Sequence, residues 1–225
     1  MSPKRRYVPA LGHDWLTPCY DVIVGVTTRE RLFKRALIEQ ARLEPGQRVL
    51  DLASGTGTLA IWMKQQQPSL VVSGVDGDPA ILAIAGRKAA SAEVVVEWVH
   101  ALSTELPFPA QSFDRITSSL FFHHLAWDDK VRTVREAWRV LRPGGELHVA
   151  DWGRPASPLQ RGFFLAIQLL DGFENTKDNL AGRLVELFED VGFVDVAAPR
   201  AFRTMFGTLA LYRATKPAHQ GAAAS

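Results

Sequence analysis

The stretch Gln47–Ala60, with the sequence QRVLDLASGTGTLA, joins a short apolar segment to a glycine turn and the start of a helix. Its first part, QRVLDL, is rich in branched residues and lies between Pro45-Gly46 and Ser54-Gly55, which predicts a buried strand. Thr58–Gln67 then has helical spacing and ends before Pro68. The glycines in between let the backbone turn tightly and approach a ligand closely. The stretch therefore predicts a strand, a ligand-binding turn and a helix in succession.

The same alternation of strands and helices continues along most of the chain. Because strands alternate with helices, we predict a parallel sheet with helices on both faces. The connection between the last two strands is too short for a parallel crossover, which indicates an antiparallel pair. The predicted fold class is α/β, with a seven-stranded, mostly parallel sheet that contains one antiparallel strand. The further strands are expected at 70–75, 93–99, 113–119, 146–151, 193–198 and 203–214, and the further helices at 29–42, 79–90, 128–141, 159–171 and 176–191.

The domain organisation predicted for the 225 residues is a single domain over 1–215. No Pro-, Gly- or Ser-rich linker divides this range. It begins with a lid and helix region at 1–45 and contains a helical region at 152–190 that we expect to face the substrate. Residues 216–225 are predicted to be a disordered tail.

Composition and charge exclude several classes of function. Hydrophobic residues make up 47% of the chain and charged residues 22%, the balance of a packed globular protein. The formal charge of +2 is too small an excess for a nucleic-acid groove. A single cysteine, Cys19, excludes an internal disulfide framework and a Cys-rich metal site, and it indicates a reducing, cytoplasmic setting. The longest apolar run, at 163–170, is too short to span a membrane, whereas the basic cluster near the N-terminus leaves peripheral contact with an anionic membrane open.

The glycine turn is compatible with two kinds of cofactor. Gly55-x-Gly57-x-x-Ala60, with Asp76 about 20 residues further on, fits the fingerprint of a dinucleotide site. Asp51 favours the other kind, because a carboxylate at the start of the turn repels a pyrophosphate but pairs with an ammonium group. S-adenosylmethionine carries an ammonium, a sulfonium and a ribose, and it has no phosphate. An NAD(P)-dependent oxidoreductase is kept as the alternative of a different class.

Four stretches in order resemble the motifs of class I S-adenosylmethionine-dependent methyltransferases, which have a Rossmann-like fold. They are VLDLASGTGTLA (49–60), VDGDP (75–79), LPFPAQSFDRITSSLFFHHL (106–125) and RVLRPGGELHVADW (139–152). The sequence is most similar to the ubiquinone/menaquinone biosynthesis C-methyltransferases, through Tyr20-Asp21, the strand HVADWGRP and the ending GTLALYRATKP. The region 152–186 differs from those enzymes, so the class of substrate does not follow from the resemblance.

The resemblance implies a set of contacts to S-adenosylmethionine. Thr56 and Ser119 would face the methionine part, and Asp76 would bind the ribose. Apart from the resemblance, the aromatic side chain of Tyr20 is expected to cover the sulfonium through a cation–π contact. At the adenine position the family usually has Asp or Asn followed by Ala, whereas this chain has Leu102-Ser103, so recognition there would depend on backbone groups. The complete predicted cofactor site comprises Tyr20, Asp51, Ser54, Gly55, Thr56, Gly57, Asp76, Gly77, Leu102, Ser103 and Ser119.

Three residues are candidates for a general base. His123 and His124 follow the fourth strand, and Asp151 ends the fifth. Adjacent histidines point in different directions, so we expect at most one of them to reach the cleft, and a structural role for either stays open. His148, inside the fifth strand, is expected to be a core or hydrogen-bonded residue. Since the stretch 118–124 contains no carboxylate for a magnesium site, we predict methyl transfer without a metal.

The methyl acceptor is predicted to be a small apolar or aromatic molecule. Aromatic residues are frequent in the three segments expected to form its pocket, namely 15–26, the loop FFHHL and the helices after Asp151. Phospholipid or small-amine N-methylation is kept as the alternative. The sequence leaves the oligomeric state open.

Overall fold

The computed structural model describes residues 30–154, 173–204 and 207–218, and its helices and strands follow the predicted alternation. The helices are α1 (Glu30–Ala41), α2 (Thr58–Gln66), α3 (Pro79–Ser91), α4 (Trp127–Val140), α5 (Phe173–Ala181) and α6 (Arg183–Val191). The strands are β1 (Arg48–Leu52), β2 (Val71–Asp76), β3 (Glu97–His100), β4 (Phe113–Ser119), β5 (Leu141–Trp152), β6 (Val194–Arg203) and β7 (Thr208–Thr215). A 3₁₀ turn over Phe122–His124 connects β4 to α4.

The strands form one seven-stranded sheet in the order β3-β2-β1-β4-β5-β7-β6. The pairs among β1 to β5 are parallel, and β7 runs antiparallel to both of its neighbours. The predicted fold class, including its one antiparallel strand, is therefore confirmed. The order of the strands reverses between β1 and β4, and ligands of open α/β sheets bind at such a point, outside the carboxyl ends of the strands.

Both faces of the sheet are covered by helices that bury apolar side chains. On one face, Leu50 and Ile116 belong to a cluster with Val134 of α4 and Phe188 of α6. On the other face, the cluster joins Val49 and Ala150 to side chains of α1 and α2, which include Phe33, Leu37, Leu59 and Met63. Burial on both faces explains why β1 reads as a continuous apolar run interrupted only by Asp51.

The structure differs from the predicted bounds at several elements. The helix predicted at 176–191 is two helices, because Gly182 has a φ of +79° and ends α5 there. β3 begins at residue 97 instead of 93, whereas β5 begins already at 141. β6 extends to residue 203 with two irregularities in its register, and β7 begins only at 208. Lys216, predicted to lie in the disordered tail, is buried and donates to the carbonyl groups of Trp138 and Leu141.

Some predictions concern parts of the chain outside the described residues. These are the segment 15–26 with Tyr20, the helix at 159–171 and residues 219–225 of the tail. Within the three described ranges, no helix combines the length and the apolar character that a membrane crossing requires.

Candidate functional site

The glycine turn after β1 has an unusual backbone conformation. Ala53, Gly55 and Gly57 have φ angles of +56°, +53° and +78°. Gly57 comes directly before α2, so the first amide groups of that helix point towards the turn. A Cβ atom on Gly57 would lie 2.5 Å from Cη2 of Trp98, and Gly74 of β2 has no room for a Cβ against the same indole ring. The ring of Trp98 thus packs against the glycine turn and leaves space only for glycine at positions 57 and 74.

Asp51 is the buried charged group at the start of this turn. Its side chain is 1% exposed, and its Oδ1 accepts a hydrogen bond of 2.9 Å from Thr117 Oγ1. Its Oδ2 is buried and has no hydrogen-bond partner within the described part of the chain. Burial raises the pKa of Asp51 to about 7, although the hydrogen bond from Thr117, the charge of Lys34 and the backbone N–H of Ala60 lower it. A buried carboxylate oxygen without a donor is costly, and a cationic ligand would supply that donor.

Asp76, at the carboxyl end of β2, is joined to the glycine turn. Its Oδ2 accepts from the backbone N–H of Gly55 at 2.9 Å, and its Oδ1 accepts from that of Asp78 at 3.0 Å. Burial raises the pKa of Asp76, and these two backbone bonds act against the increase. Each carboxylate oxygen can accept a further hydrogen bond, so both can accept from adjacent hydroxyl groups of a ribose. The carbonyl of Gly77 accepts from His100 Nε2 at 3.1 Å, which fixes the backbone after β2.

The hydroxyl group of Thr56 is directed towards α3. Lys88 Nζ donates to Thr56 Oγ1 at 2.9 Å and to Thr58 Oγ1 at 2.8 Å. The predicted contact of Thr56 with the methionine part would therefore be made by its backbone. Lys88 fastens the glycine turn to a neighbouring helix, and no pattern around residue 88 of the sequence indicates this contact.

The other predicted cofactor residues lie at the same edge of the sheet. Ser54 follows β1, and its Oγ is buried without a hydrogen-bond partner among the described residues. Ser119 ends β4 and is half-buried. After β3, the side chain of Leu102 is 54% exposed, whereas Ser103 Oγ is bonded to Thr133 Oγ1 of α4 at 2.8 Å. Since that hydroxyl is turned away, the arrangement agrees with recognition through the backbone at this position.

Asp151 and His123 form a buried pair at the carboxyl ends of β4 and β5. His123 Nδ1 donates to Asp151 Oδ1 at 2.8 Å, and the two residues are 3% and 0% exposed. Oδ1 also accepts from the backbone of Trp152 at 2.7 Å and from Asn179 Nδ2 at 3.1 Å. Oδ2 accepts from the backbone N–H groups of Phe121 at 3.0 Å and Phe122 at 2.7 Å.

These five donors determine the charge of Asp151. Burial alone would raise the pKa of Asp151, but the ring of His123 and the hydrogen bonds outweigh it and hold the pKa below its usual range. A buried carboxylate saturated in this way orients His123 and does not face a substrate itself. Because Nδ1 of His123 is the donor, Nε2 is the basic nitrogen of its neutral ring.

The other two histidines considered in the sequence differ from His123. The ring of His124 lies 4.0 Å from that of His123, and burial together with the charge of His123 lowers the pKa of His124 to about 3. His124 is therefore neutral at physiological pH. His148 is fully buried and bonded to Gln40 at 3.3 Å and to Glu146 at 3.2 Å, as its predicted structural role requires. In the described ranges, no three His, Cys, Asp or Glu side chains are grouped to hold a metal ion.

Comparison with known proteins assigns this arrangement to a family. The family described as "methyltransferase domain" matches residues 49–145, the part of the chain that contains the glycine turn, Asp76, His123 and His124. The chain carries a methyltransferase domain. This confirms the resemblance seen in the four sequence motifs.

The chain is similar to named enzymes over about two thirds of its length. It is 34% identical over 146 residues to the demethylmenaquinone methyltransferase of Deinococcus radiodurans, which covers 64% of this chain and 60% of that protein. It is 35% identical over 156 residues to the 2-phytyl-1,4-naphtoquinone methyltransferase of Synechococcus elongatus, which covers 67% of this chain and 66% of that protein. The chain therefore spans a little under two thirds of the length of these relatives.

Solved structures confirm the fold. Phosphoethanolamine N-methyltransferase 2 of Haemonchus contortus, in complex with phosphomonomethylethanolamine and S-adenosylhomocysteine, superposes with a TM-score of 0.73. The superposition covers 92% of this chain and 58% of that one, at 18% sequence identity. At this identity the likeness concerns the Rossmann-like fold of the methyltransferase domain.

Proposed function

We propose that the protein transfers a methyl group from S-adenosylmethionine to a small aromatic acceptor, a reduced quinone-like ring. The observation that carries the proposal is Oδ2 of Asp51, which is buried at the start of the glycine turn and has no hydrogen-bond partner among the residues that the structure describes. An anionic pyrophosphate would leave this oxygen without a donor and add repulsion, whereas the ammonium of an amino-acid-bearing cofactor would donate to it. The names of the two relatives support a naphthoquinone-like acceptor.

The residues at the edge of the sheet fit S-adenosylmethionine. Asp51 would hold its ammonium, Asp76 the two ribose hydroxyls, and the backbone of the turn around Gly55 its methionine part. When bound, the cofactor supplies an electrophilic methyl group on a positively charged sulfur, so that one C–S bond breaks and one bond to the acceptor forms. The role of these residues is to fix the methyl group in line with the acceptor atom.

His123 is the residue that would take a proton from the acceptor. Its Nε2 accepts the proton of a ring hydroxyl, which raises the electron density on the neighbouring ring carbon, and that carbon releases its own hydrogen as a proton once the methyl group is attached. The negative charge of Asp151, 2.8 Å from Nδ1, stabilises the imidazolium that results. Burial of both side chains keeps water from competing for that proton. His124, with its lowered pKa, does not share this task.

The proposal extends to the setting of the protein. A cytoplasmic location is supported by the single cysteine, Cys19, and a small-molecule acceptor by the near-balanced charge of +2. The metal-independent reaction predicted from the sequence is retained as part of the proposal.

Two experiments test the proposed function in succession. In the first, isothermal titration compares S-adenosylhomocysteine with NADH, and we expect binding of the former only. In the second, methyl-labelled S-adenosylmethionine is incubated with a reduced naphthoquinone that is unsubstituted at one carbon next to a hydroxyl, and mass spectrometry detects the labelled product. Phosphoethanolamine as a second acceptor tests N-methylation. Binding of NADH instead of S-adenosylhomocysteine would refute the cofactor assignment, and transfer only to the amine would refute the acceptor class.

A further inference from the structure

Helix α5 buries polar side chains on the face that packs against the 3₁₀ turn and β5. Thr176, Asp178 and Asn179 are 0%, 2% and 0% exposed, less than Leu180 of the same helix at 9%. Amphipathic helices ordinarily bury their apolar residues, and a buried polar group is costly unless it is bonded. We call these three residues the polar face of α5. Their burial calls for partners in the elements beneath them.

The charged partners of this face come from α4 and α6. Asp178 Oδ1 accepts from Arg183 at 2.7 Å, and its Oδ2 lies 3.7 Å from Nζ of Lys130, a lysine with no exposed surface. The guanidinium of Arg183 in turn stacks at 3.8 Å over the ring of Trp127. Asp178 of α5 thus has two basic groups close by.

Asn179 is the member of the polar face that reaches the catalytic pair. Its Nδ2 donates to Oδ1 of Asp151 at 3.1 Å. The other four donors to Asp151 come from its neighbour Trp152 and from the segment 121–123, which carries the pair itself. Asn179 is therefore the donor that arrives from a separate element, 28 residues further along the chain. Its amide fixes the side chain of Asp151 from the side of α5.

We propose that Asn179 is a positioning residue that keeps Asp151 oriented and ionised, so that His123 holds its proton on Nδ1 and presents Nε2 as the base. This inference rests on the proposed function for its catalytic meaning. The hydrogen bond itself is a property of the free protein and is measured without turnover.

Other titratable groups lie near Asp151 and His123. Lys130 of α4 adds positive charge near Asp151, and Asp178 of α5, which is paired with Arg183 of α6, lies next to Lys130. Burial lowers the pKa of Lys130, while the charges of Asp178 and Asp151 raise it. Burial and the charge of Asp151 raise the pKa of the Tyr212 hydroxyl on β7, so that it stays neutral. His124 is neutral through its low pKa.

The test uses two variants of Asn179 and one matched control. Asn179→Ala removes the donor, and Asn179→Asp keeps the shape of the side chain but adds a negative charge beside Asp151. Glu189→Gln changes an exposed side chain of α6 and serves as the control. For each protein we would measure the melting temperature, the Nδ1–H signal of His123 by proton NMR in the absence of ligands, and the pH profile of kcat. The signal of His123 is assigned by its loss in His123→Gln.

The expected results differ between the variants. In Asn179→Ala, exchange of the Nδ1–H proton becomes faster and kcat falls about tenfold, the effect typical of losing a residue that orients a functional side chain, with the KM for the cofactor unchanged. In Asn179→Asp, the added negative charge favours the protonated form of the catalytic base, so the acid limb of the kcat profile moves towards higher pH. Glu189→Gln behaves as the wild type in all measurements.

The outcomes separate the inference from the proposed function. An unchanged Nδ1–H signal in a folded Asn179→Ala protein would overturn the positioning role, and so would equal loss of kcat at every pH in Asn179→Asp. If Asn179→Ala does not fold, the near-isosteric Asn179→Asp decides by the same NMR signal. A changed signal in a protein that shows no methyl transfer would support the positioning role and refute the proposed function.

Discussion

Asp51→Asn is expected to make the protein more stable and its cofactor site weaker at the same time. The structure gives the first effect, because Asp51 is fully buried and its pKa rises from 3.8 to about 7. A difference of about three units corresponds to about 4 kcal/mol of stability lost as the pH rises through this range, since the unfolded chain releases the proton earlier. The asparagine keeps an oxygen for Thr117 but leaves a buried amide nitrogen without a partner, which costs about 1–3 kcal/mol. We expect a net gain of about 1–3 kcal/mol at pH 8, by the difference of these two figures.

The second effect follows from the lost charge. A hydrogen bond between a carboxylate and an ammonium contributes about 1.5–3 kcal/mol, so the Kd of S-adenosylhomocysteine should rise about 10- to 150-fold in Asp51→Asn. In the wild type, affinity should fall about tenfold for each pH unit below about 7, because protonation neutralises Asp51. In the variant this dependence should disappear.

Isothermal titration and thermal melting between about pH 5 and pH 8.5 measure both effects on the same samples. Asp128→Asn, at an exposed position of α4, is the control for loss of one negative charge. The reasoning would be refuted by a variant that binds S-adenosylhomocysteine as tightly as the wild type. A variant with a lower melting temperature at pH 8 would refute the assignment of a strained buried charge.

Three further predictions concern the glycine turn and the chemistry. Gly57→Ala should destabilise the protein by about 2 kcal/mol or more, because the new Cβ would overlap the ring of Trp98 and residue 57 has a positive φ. Thermal melting measures this loss. An unchanged melting temperature would mean that the ring moves aside. Lys88→Met should raise the Kd of S-adenosylhomocysteine about fivefold, because the hydrogen bonds to Thr56 and Thr58, each worth about 1 kcal/mol or less, are lost. Lys88→Arg should bind more nearly as the wild type does. Equal Kd values for all three proteins in isothermal titration would contradict this prediction. Methyl transfer should continue unchanged in excess chelator, and a rate that is lost and then restored by magnesium would show the opposite.

The fold could be predicted because its signals are local. The run of β1, the glycines after it and the alternation of strands and helices are all visible within short windows of sequence, and they determine the sheet and its switch point. The predicted bounds of a helix differ from the structure where a single residue determines its end, as at Gly182, whose positive φ divides a predicted helix in two. A glycine inside a helical pattern was the available signal for that break.

The candidate site was predicted in its positions but not in its contacts. Asp51, Asp76 and Asp151 lie at the carboxyl ends of strands and therefore at one edge of the sheet. Their roles depend on how many hydrogen-bond donors each carboxylate has. In the described part of the chain, Asp151 has five donors whereas Oδ2 of Asp51 has none, and the sequence reveals neither fact. Lys88 and Asn179 were missed because their partners lie 32 and 28 residues away along the chain.

The indole of Trp98 packs against two glycines on different elements. This contact restricts how the sequence can evolve. Gly57 and Gly74 are unable to acquire a side chain while the tryptophan is present, so the three positions should vary together. Among homologous sequences, alanine at either glycine should occur with a smaller residue in place of the tryptophan. Such covariation would identify a lineage in which other side chains pack against the glycine turn.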